Sequence, residues 1–265
     1  VRVVAAMEDP NPLVAGQGLA MLRAAGIETA SGLLESEARE LNIGFVSRMT
    51  RGRPWLRLKA AASLDGKTAL NNGVSQWITG PDARQDGHRW RARACAILTG
   101  IGTVRDDDPQ LNVRAVATTR QPLRVVVDSK LETPLTARIL QGGQVLIAAA
   151  VDDEKRANLL RSAGAEVLVL PNAAGKVELK DLLEELGRRG INEVHAEAGF
   201  KLNGSLLREG LVDELLLYLA PCLIGHAASG VFNLPELATL DGKRRLQIRD
   251  LRQVGEDIRL IARPR

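Results

Sequence analysis

The feature that most limits the fold of this chain is a regular alternation of short apolar runs with helix-patterned segments. The apolar runs predict strands at residues 55–62, 94–100, 123–129, 143–150, 165–171, 191–199 and 214–221. Several runs are apolar at consecutive positions, which is typical of strands covered on both faces of a sheet. Helix-patterned segments lie between them at residues 81–93, 153–163, 177–189 and 199–209. This order predicts an α/β fold whose sheet contains parallel strand pairs flanked by helices.

The two ends of the chain depart from this alternation. Residues 1–48 predict a strand, a helix, a strand and one continuous second helix, a segment too short to bury a core of its own. Residues 49–54, "MTRGRP", are basic and contain glycine and proline, so we predict a linker there. Residues 245–264 alternate in polarity on either side of "VGED", which predicts a hairpin added at a sheet edge.

The composition limits the class of partner. Hydrophobic residues make up 45% and charged residues 26%, as in an ordinary globular protein. Aromatic residues make up only 3%, which argues against a nucleic-acid partner bound on stacking platforms. The net charge of +4 is spread without a long basic run, and this balance favours a small anionic ligand. No apolar run reaches transmembrane length and no signal peptide is visible, so we expect no membrane partner.

The sequence contains no motif that predicts a metal site or acyl-transfer chemistry. Cys95 and Cys222 lie in apolar runs, so we predict buried free thiols in a reducing compartment such as the cytoplasm. Without CxxC spacing they predict no zinc site. His88, His195 and His226 form no recognisable triad, and a structural or solvated role is the better prediction for each. No serine lies in a G-x-S-x-G elbow.

Two glycine-containing turns follow predicted strands, where open α/β sheets bind ligands. In the first, Gly100 and Gly102 allow a close approach of backbone to a ligand, with a helix starting near Thr103. Arg105 stands where the dinucleotide fingerprint needs its third glycine, so that fingerprint is not met. Taken on its own, the acidic run that follows, 106–108, is better explained as a solvated turn.

The second turn runs from Gly199 to Ser205, directly after Glu197. A glycine-rich turn leading into a helix offers free N–H groups to a phosphate. The lysine of a nucleotide-hydrolysing loop is absent, and a tight strand-to-helix turn remains an alternative.

Several cations accompany these turns. Lys59 lies in an apolar strand and shares its face with Arg57, which is unusual unless the lysine is paired or binds an anion. Arg91 and Arg114 flank predicted ligand-facing turns, and a solvated arginine is the alternative for each. The pair Ser129 and Lys130, at a strand end, suits the 2′-phosphate of NADPH, although a plain turn explains them equally well.

Six segments, taken in order, carry a resemblance to one family: "LKAAASLDGKTA", "GVSQWITGPDAR", "AILTGIGTVRDDDPQLNVR", "QPLRVVVDS", "AEAGFKLNGSLL" and "LVDELLLYLAP". They resemble the reductase domain of the bifunctional bacterial riboflavin-biosynthesis proteins, and the resemblance covers nearly the whole chain. It implies a dihydrofolate-reductase-like fold with a mixed, mainly parallel sheet, flanking helices and a C-terminal antiparallel hairpin.

The same resemblance divides the chain. Residues 1–48, with "DPNPLVAGQGLAMLRAAGI", resemble the end of the family's cytidine-deaminase-like domain, and residues 49–265 resemble the NADPH-dependent reductase domain. The H-x-E and C-x-x-C zinc signature of that deaminase is not in the sequence. We therefore expect this chain not to deaminate, and zinc to belong only to the missing part.

The activity implied is reduction of 5-amino-6-(5-phosphoribosylamino)uracil to its ribityl form. The ribose opens at the glycosylamine, and NADPH delivers hydride to the electrophilic C1′. The family also implies a homodimer. The alternatives are a zinc deaminase, a non-catalytic NADPH-binding module, and a reductase of the same fold acting on a pterin.

The resemblance also implies site residues, with the strand at Lys59 and the loop through Trp77 forming one cleft for cofactor and substrate. Implied cofactor contacts are Ala61, Trp77, Thr103, Asp107, Ser129, Gly199, Phe200, Lys201, Leu202, Asn203, Gly204 and Ser205. Implied substrate contacts are Ser75, Arg91, Leu111, Arg114 and Glu197, the arginines suiting the phosphate. Lys59 and Asp107 are the candidates for polarising the ribose and for handling the ring-opening proton.

Overall fold

The structure, a computed structural model, describes all residues from 1 to 265. The strands are β1 Arg2–Ala5, β2 Glu28–Ser31, β3 Trp55–Ser63, β4 Lys67–Ala69, β5 Ala96–Gly100, β6 Leu123–Val127, β7 Val145–Ala149, β8 Ala165–Val169, β9 Glu193–Ala196, β10 Glu214–Ala220, β11 Ser229–Gly230, β12 Leu246–Val254 and β13 Asp257–Pro264. The helices are α1 Gln17–Ala24, α2 Glu35–Leu41, α3 Ile43–Arg51, α4 Pro81–Arg93, α5 Ile101–Asp107, α6 Glu154–Ser162, α7 Leu179–Arg188 and α8 Phe200–Arg208. The seven strands and four helices predicted between residues 55 and 221 are therefore confirmed.

The chain forms two compact units. The first comprises Val1–Trp55 and Leu183–Asn192, and the second comprises Leu56–Leu182 and Glu193–Arg265. No helix of the chain is both long enough and apolar enough to cross a membrane.

In the first unit, β1 and β2 pair in parallel. The prediction of one continuous helix over residues 35–48 is wrong, because Asn42 leaves the helical conformation and separates α2 from α3. The backbone N–H and the side-chain amide of Asn42 both donate to the carbonyl of Ala38, at 3.1 and 3.0 Å, which anchors Asn42 to the end of α2.

The predicted linker at residues 49–54 is also wrong in its first half. Residues 49–51 complete α3, and Gly52 ends that helix in the left-handed conformation, with φ of +70°. The buried Ser47 hydroxyl donates to the carbonyl of Arg53 at 2.7 Å. The basic segment is therefore fixed to the helix that precedes it.

The second unit is built on a nine-stranded sheet in the order β12-β13-β10-β3-β9-β5-β6-β7-β8. Pairs β10–β3, β9–β5, β5–β6, β6–β7 and β7–β8 are parallel, and the hairpin β12–β13 joins β10 in antiparallel fashion. This is the mixed, mainly parallel sheet with an edge hairpin that the resemblance implies. The parallel strands end at one edge, where the turns after β3, β5, β6, β9 and β10 come together.

One apolar core of this unit lies beside β5, β6 and β7 under α5 and α6. Its fully buried members include Ile97, Val126, Ile147 and Leu160. Burying each such side chain stabilises the fold by about 1.5–3 kcal/mol. This core holds the strand ends in fixed positions, which the site beyond them requires.

The exposure of the two cysteines differs from the prediction, and one short strand pair was not predicted. Cys222 is exposed and Cys95 is only half-buried, so the prediction of two buried thiols is wrong. Cys222 follows the end of β10 at Ala220 and lies in a loop. The short antiparallel pair β4–β11 was not predicted, since strands of two or three residues show no measurable alternation.

Candidate active site

One face of the sheet, where α4 packs, carries charges where a covered sheet usually carries apolar side chains. Arg57 on β3 is 2% exposed, and its Nε donates to Oε1 of Glu214 on β10 at 2.6 Å. Its Nη1 donates to Oε2 of Glu193 on β9 at 3.0 Å, and the ring of Trp90 lies 4.4 Å away. Arg57 therefore ties three strands together and is already fully engaged.

Two residues further along the same strands, a second ionic cluster faces the carboxyl ends of the sheet. Glu197, just after β9, accepts from Nε and Nη2 of Arg91 at 2.5 and 2.9 Å. The Nζ of Lys59 lies 3.9 Å from its Oε2, and Nε2 of His195 lies 3.3 Å from its Oε1. The Glu197 backbone N–H donates to the carbonyl of Leu98 at 2.8 Å, which fixes the backbone of Glu197 beside β5. Two predicted site residues, Lys59 and Arg91, thus meet around the carboxylate of a third, Glu197.

Burial and charge set the protonation states of this cluster. Burial lowers the pKa of Lys59, although the Glu197 carboxylate raises it in part. Burial by itself would raise the pKa of Glu197, but Arg91, Lys59 and His195 hold that pKa well below its usual range. At neutral pH the cluster therefore contains an ionised carboxylate and a lysine that releases its proton more readily than an exposed one.

Asn112 connects the two arginines that the sequence assigns to substrate. Its carbonyl accepts from Nη1 of Arg91 at 3.2 Å, and its side-chain oxygen accepts from Nη1 of Arg114 at 3.0 Å. Leu111, beside it, is buried and holds a φ of +45°, a strained conformation for a branched side chain. Arg114 is exposed and is engaged by a side-chain amide alone, so it is the freer of the two guanidiniums.

His88 is a residue of this region that sequence reasoning assigned only a structural or solvated role. It is buried one turn before Arg91 on α4, and its Nδ1 has no hydrogen-bond partner. Burial and the positive charges of Arg91 and Arg114 lower the pKa of His88 to about 4. The one available clue was its spacing of three residues from Arg91 on a helix.

A second group forms where the loop after β4 meets the end of α5. Partial burial and the charge of Asp106 raise the pKa of Asp107, while the nearby side chains of Gln76 and Ser75 lower it in part. Trp77, in the same loop, is 67% exposed and its ring lies 4.7 Å from the guanidinium of Arg84. Ser75 and Asp107, predicted from separate motifs, therefore lie near each other.

The two glycine-containing turns lie side by side. A Cβ at Gly100 would be 3.2 Å from the side chain of Leu202, and a Cβ at Gly199 would be 3.8 Å from Oγ1 of Thr103. Gly199 precedes α8 in an extended conformation, and no side chain caps that helix. The first N–H groups of α8 are thus available to a phosphate.

Three other predicted cofactor residues have side chains that contact protein, and a fourth, Gly204, is closely approached by backbone. Nδ2 of Asn203 donates to the carbonyl of Val231, and the Ser205 hydroxyl accepts from Arg208. A Cβ at Gly204 would be 2.2 Å from the carbonyl oxygen of Asn233. The Ser129 hydroxyl accepts from the N–H of Val177 at 3.2 Å. Contacts between these residues and a ligand stay predictions.

The remaining predicted residues line the same region. Ala61 packs beside Tyr218 and Trp90 under α4, while Phe200 and Lys201 are exposed in the first turn of α8. The whole arrangement presents, at one sheet edge, a buried acid–base cluster, an exposed arginine and an uncapped helix start. Such a site suits an anionic substrate next to a phosphate-bearing cofactor.

Comparison with known proteins gives a consistent result. The model of the RibD C-terminal domain matches residues 54–260. The riboflavin biosynthesis protein RibD of Escherichia coli is 42% identical over 270 residues, which cover 97% of this chain and 72% of that protein. The structure of RibD from Acinetobacter baumannii is 41% identical with a TM-score of 0.89, covering 100% of this chain and 73% of its own. A deaminase/5-amino-6-(5-phosphoribosylamino)uracil reductase from Thermotoga maritima is 28% identical with a TM-score of 0.85, covering 100% and 71%.

Proposed function

Because the chain belongs to the family of the RibD C-terminal domain, we propose that it is an NADPH-dependent reductase of riboflavin biosynthesis. Its substrate is 5-amino-6-(5-phosphoribosylamino)uracil, the compound named for the reductase activity of the Thermotoga maritima relative. The observation that carries the proposal is the cluster of Lys59, Arg91 and Glu197 beside the exposed Arg114.

The reaction needs an open ribose and a proton. The C1′–O4′ bond breaks as C1′ becomes doubly bonded to nitrogen, the glycosylamine proton leaves, and O4′ gains a proton. The bound cofactor then supplies hydride to C1′, and the nitrogen takes up a proton. Lys59, whose pKa burial lowers, donates toward the ribose oxygen, and Glu197 holds the ribose hydroxyls by accepting their hydrogen bonds.

Asp107 has a complementary role in this proposal. Partial burial and the neighbouring Asp106 raise its pKa, which makes it a better carrier for the ring-opening proton than an exposed carboxylate. Ser75, whose side chain lies near Asp107, contacts the substrate in this proposal.

The phosphate of the substrate and those of the cofactor have separate partners. Arg114 presents its guanidinium to the 5′-phosphate, since Arg91 is largely engaged with Glu197. The start of α8 and the Thr103 hydroxyl receive the cofactor diphosphate. The exposed Lys130, next to Ser129, suits the 2′-phosphate, and this supports NADPH over NADH.

Three wider proposals accompany this one. Residues 1–48 are the C-terminal part of a cytidine-deaminase-like domain, and residues 49–265 are the reductase domain. The protein acts in the cytoplasm, which is consistent with two free cysteines. It forms a homodimer, supported by the exposed apolar side chains of Ile248 and Leu251 on the edge strand β12.

The test is NADPH oxidation, followed by absorbance, with the deaminated ribosylaminopyrimidine phosphate. We expect turnover with the phosphorylated substrate, and a KM at least about tenfold higher for the same compound without its phosphate. Equal turnover of a phosphate-free pterin would favour the alternative reductase. If NADPH binds but neither compound oxidises it, both the proposed reductase and the pterin reductase are contradicted.

A further inference from the structure

The imidazole of His195 is a fully buried ionisable group whose role the reaction above leaves open. It lies on β9 with an exposed fraction of 0%, and neither ring nitrogen has a hydrogen-bond partner of ordinary geometry. Its nearest polar neighbour is Oε1 of Glu197, 3.3 Å from Nε2. A polar ring kept in such a place needs a reason, because a side chain of similar size without polar atoms would bury at lower cost.

The charges around the ring determine its protonation state. Burial, together with Arg57 on β3 and Arg91 on α4, lowers the pKa of His195, while Glu197 opposes this in part. The ring is therefore neutral and carries a single N–H. With Nε2 facing a carboxylate, the tautomer that places the proton on Nε2 is favoured, since the other would set a lone pair against a negative charge.

The Glu197 carboxylate depends on more than one donor to keep its place. Arg91 donates to both of its oxygens, but the same guanidinium also donates to the carbonyl of Asn112. Lys59, at 3.9 Å, is too distant for a direct hydrogen bond. His195 is then the group that remains close to Oε1 and cannot move away, because the sheet surrounds it.

We propose that His195 is a positioning residue that donates its Nε2–H to Glu197 and fixes the carboxylate toward the ribose of the substrate. This role rests on the proposed function in one respect, namely that Glu197 faces the substrate. The pairing of His195 with Glu197 itself does not depend on it.

The pairing is tested first by nitrogen NMR of ¹⁵N-histidine-labelled protein without substrate. The chain has only three histidines, so the signals are assigned with His88→Gln and His226→Gln. We expect His195 to be neutral and protonated on Nε2 at neutral pH, because its pKa is lowered by burial. In Glu197→Ala we expect this preference to be lost. A ring protonated on Nδ1, or a spectrum unchanged in Glu197→Ala, would overturn the proposal.

Kinetics then test the consequence for the substrate. His195→Gln keeps an N–H donor near the position of Nε2, and His195→Leu removes it at similar volume. We expect the leucine variant to raise the KM for the ribosylaminopyrimidine phosphate about tenfold, as for a lost hydrogen bond to a charged group, and the glutamine variant to restore most of it. The KM for NADPH stays unchanged in both. Equal losses in the two variants, or a parallel rise in the KM for NADPH, would assign His195 a packing role only.

The two experiments distinguish failure of the His195–Glu197 pairing from failure of the proposed function. The NMR measurement needs neither substrate nor turnover, so it decides the pairing even if the chain proves not to be this reductase, and it stands if His195→Leu does not fold. His226→Gln, in an exposed loop, controls for the replacement of a histidine as such, with unchanged kinetics expected.

Discussion

At the scale of single residues, two cations on one strand have different interaction partners. Arg57 and Lys59 share a face of β3, and sequence reasoning singles out Lys59 as paired or bound to an anion. Arg57 meets two carboxylates and an indole ring and is fully engaged, whereas Lys59 has one carboxylate at 3.9 Å. The difference lies in which residues stand opposite on β9 and β10, and no pattern within β3 contains that information.

Glu197→Gln is expected to lower kcat/KM for the phosphorylated substrate about 100-fold, because it leaves Arg91 and Lys59 without their shared counter-charge. Steady-state NADPH oxidation measures the effect. Glu236→Gln, on an exposed loop, is the matched control and should behave as wild type. Unchanged kinetics in Glu197→Gln would remove Glu197 from the site.

His88 predicts a pH dependence of stability. Its pKa in the folded state, about 4, lies below the ordinary value of 6.5, so the unfolded chain binds the proton more tightly. Its contribution to stability is therefore complete above pH 6.5, decreases as the pH falls from 6.5 to about 4, and is constant below that. In His88→Gln this decrease should be absent from urea unfolding curves measured across that range. His226→Gln should retain it.

At the scale of elements, the strands and helices between residues 55 and 221 were predictable because each is long enough to show its period. The break at Asn42 was not, since residues 35–48 continue the helical pattern across it. The pair β4–β11 was too short to show any period. In the site, the turns were predictable from their glycines, but the direction of each side chain depended on the neighbouring strand or loop.

Gly204 illustrates this dependence. Sequence reasoning assigned it to a phosphate turn, whereas the structure places it within α8, where the chain at Asn233 passes against the helix. Gly204→Ala should therefore destabilise the protein by about 1–3 kcal/mol through overpacking. Gly87→Ala, inside α4 with open space around it, should instead stabilise it by about 0.5–1 kcal/mol. Chemical denaturation of both variants measures the contrast, and equal effects would contradict the close approach at Asn233.

At the scale of the whole molecule, the parallel strands bring residues from distant parts of the chain to one edge. Lys59, Arg91 and Glu197 span nearly 140 positions of sequence and meet within one cluster. Sequence reasoning located this edge from strand order alone, since the carboxyl ends of parallel strands coincide. It did not identify His88 or His195 as neighbours of the cluster, because single histidines in apolar surroundings are more often structural.

The edge strand β12 leads to a prediction about assembly. Leu251 is 63% exposed there, and a homodimer formed through this edge would cover it. Leu251→Glu should shift the mass measured by light scattering toward the monomer. Leu41→Glu, at a leucine that is 80% exposed on α2, should leave the mass unchanged. A wild-type protein that is monomeric at all concentrations would contradict the homodimer.

The contact between the two glycine-containing turns has an evolutionary consequence. Gly100 has no side chain, and a Cβ there would already crowd Leu202 at 3.2 Å. Two positions about a hundred residues apart in sequence share the space at this point. A larger side chain at either position alone would therefore clash with the other. Among related sequences, a larger residue at the position of Gly100 should therefore accompany a smaller one at that of Leu202. Substitutions at the two positions should then be inherited as a pair.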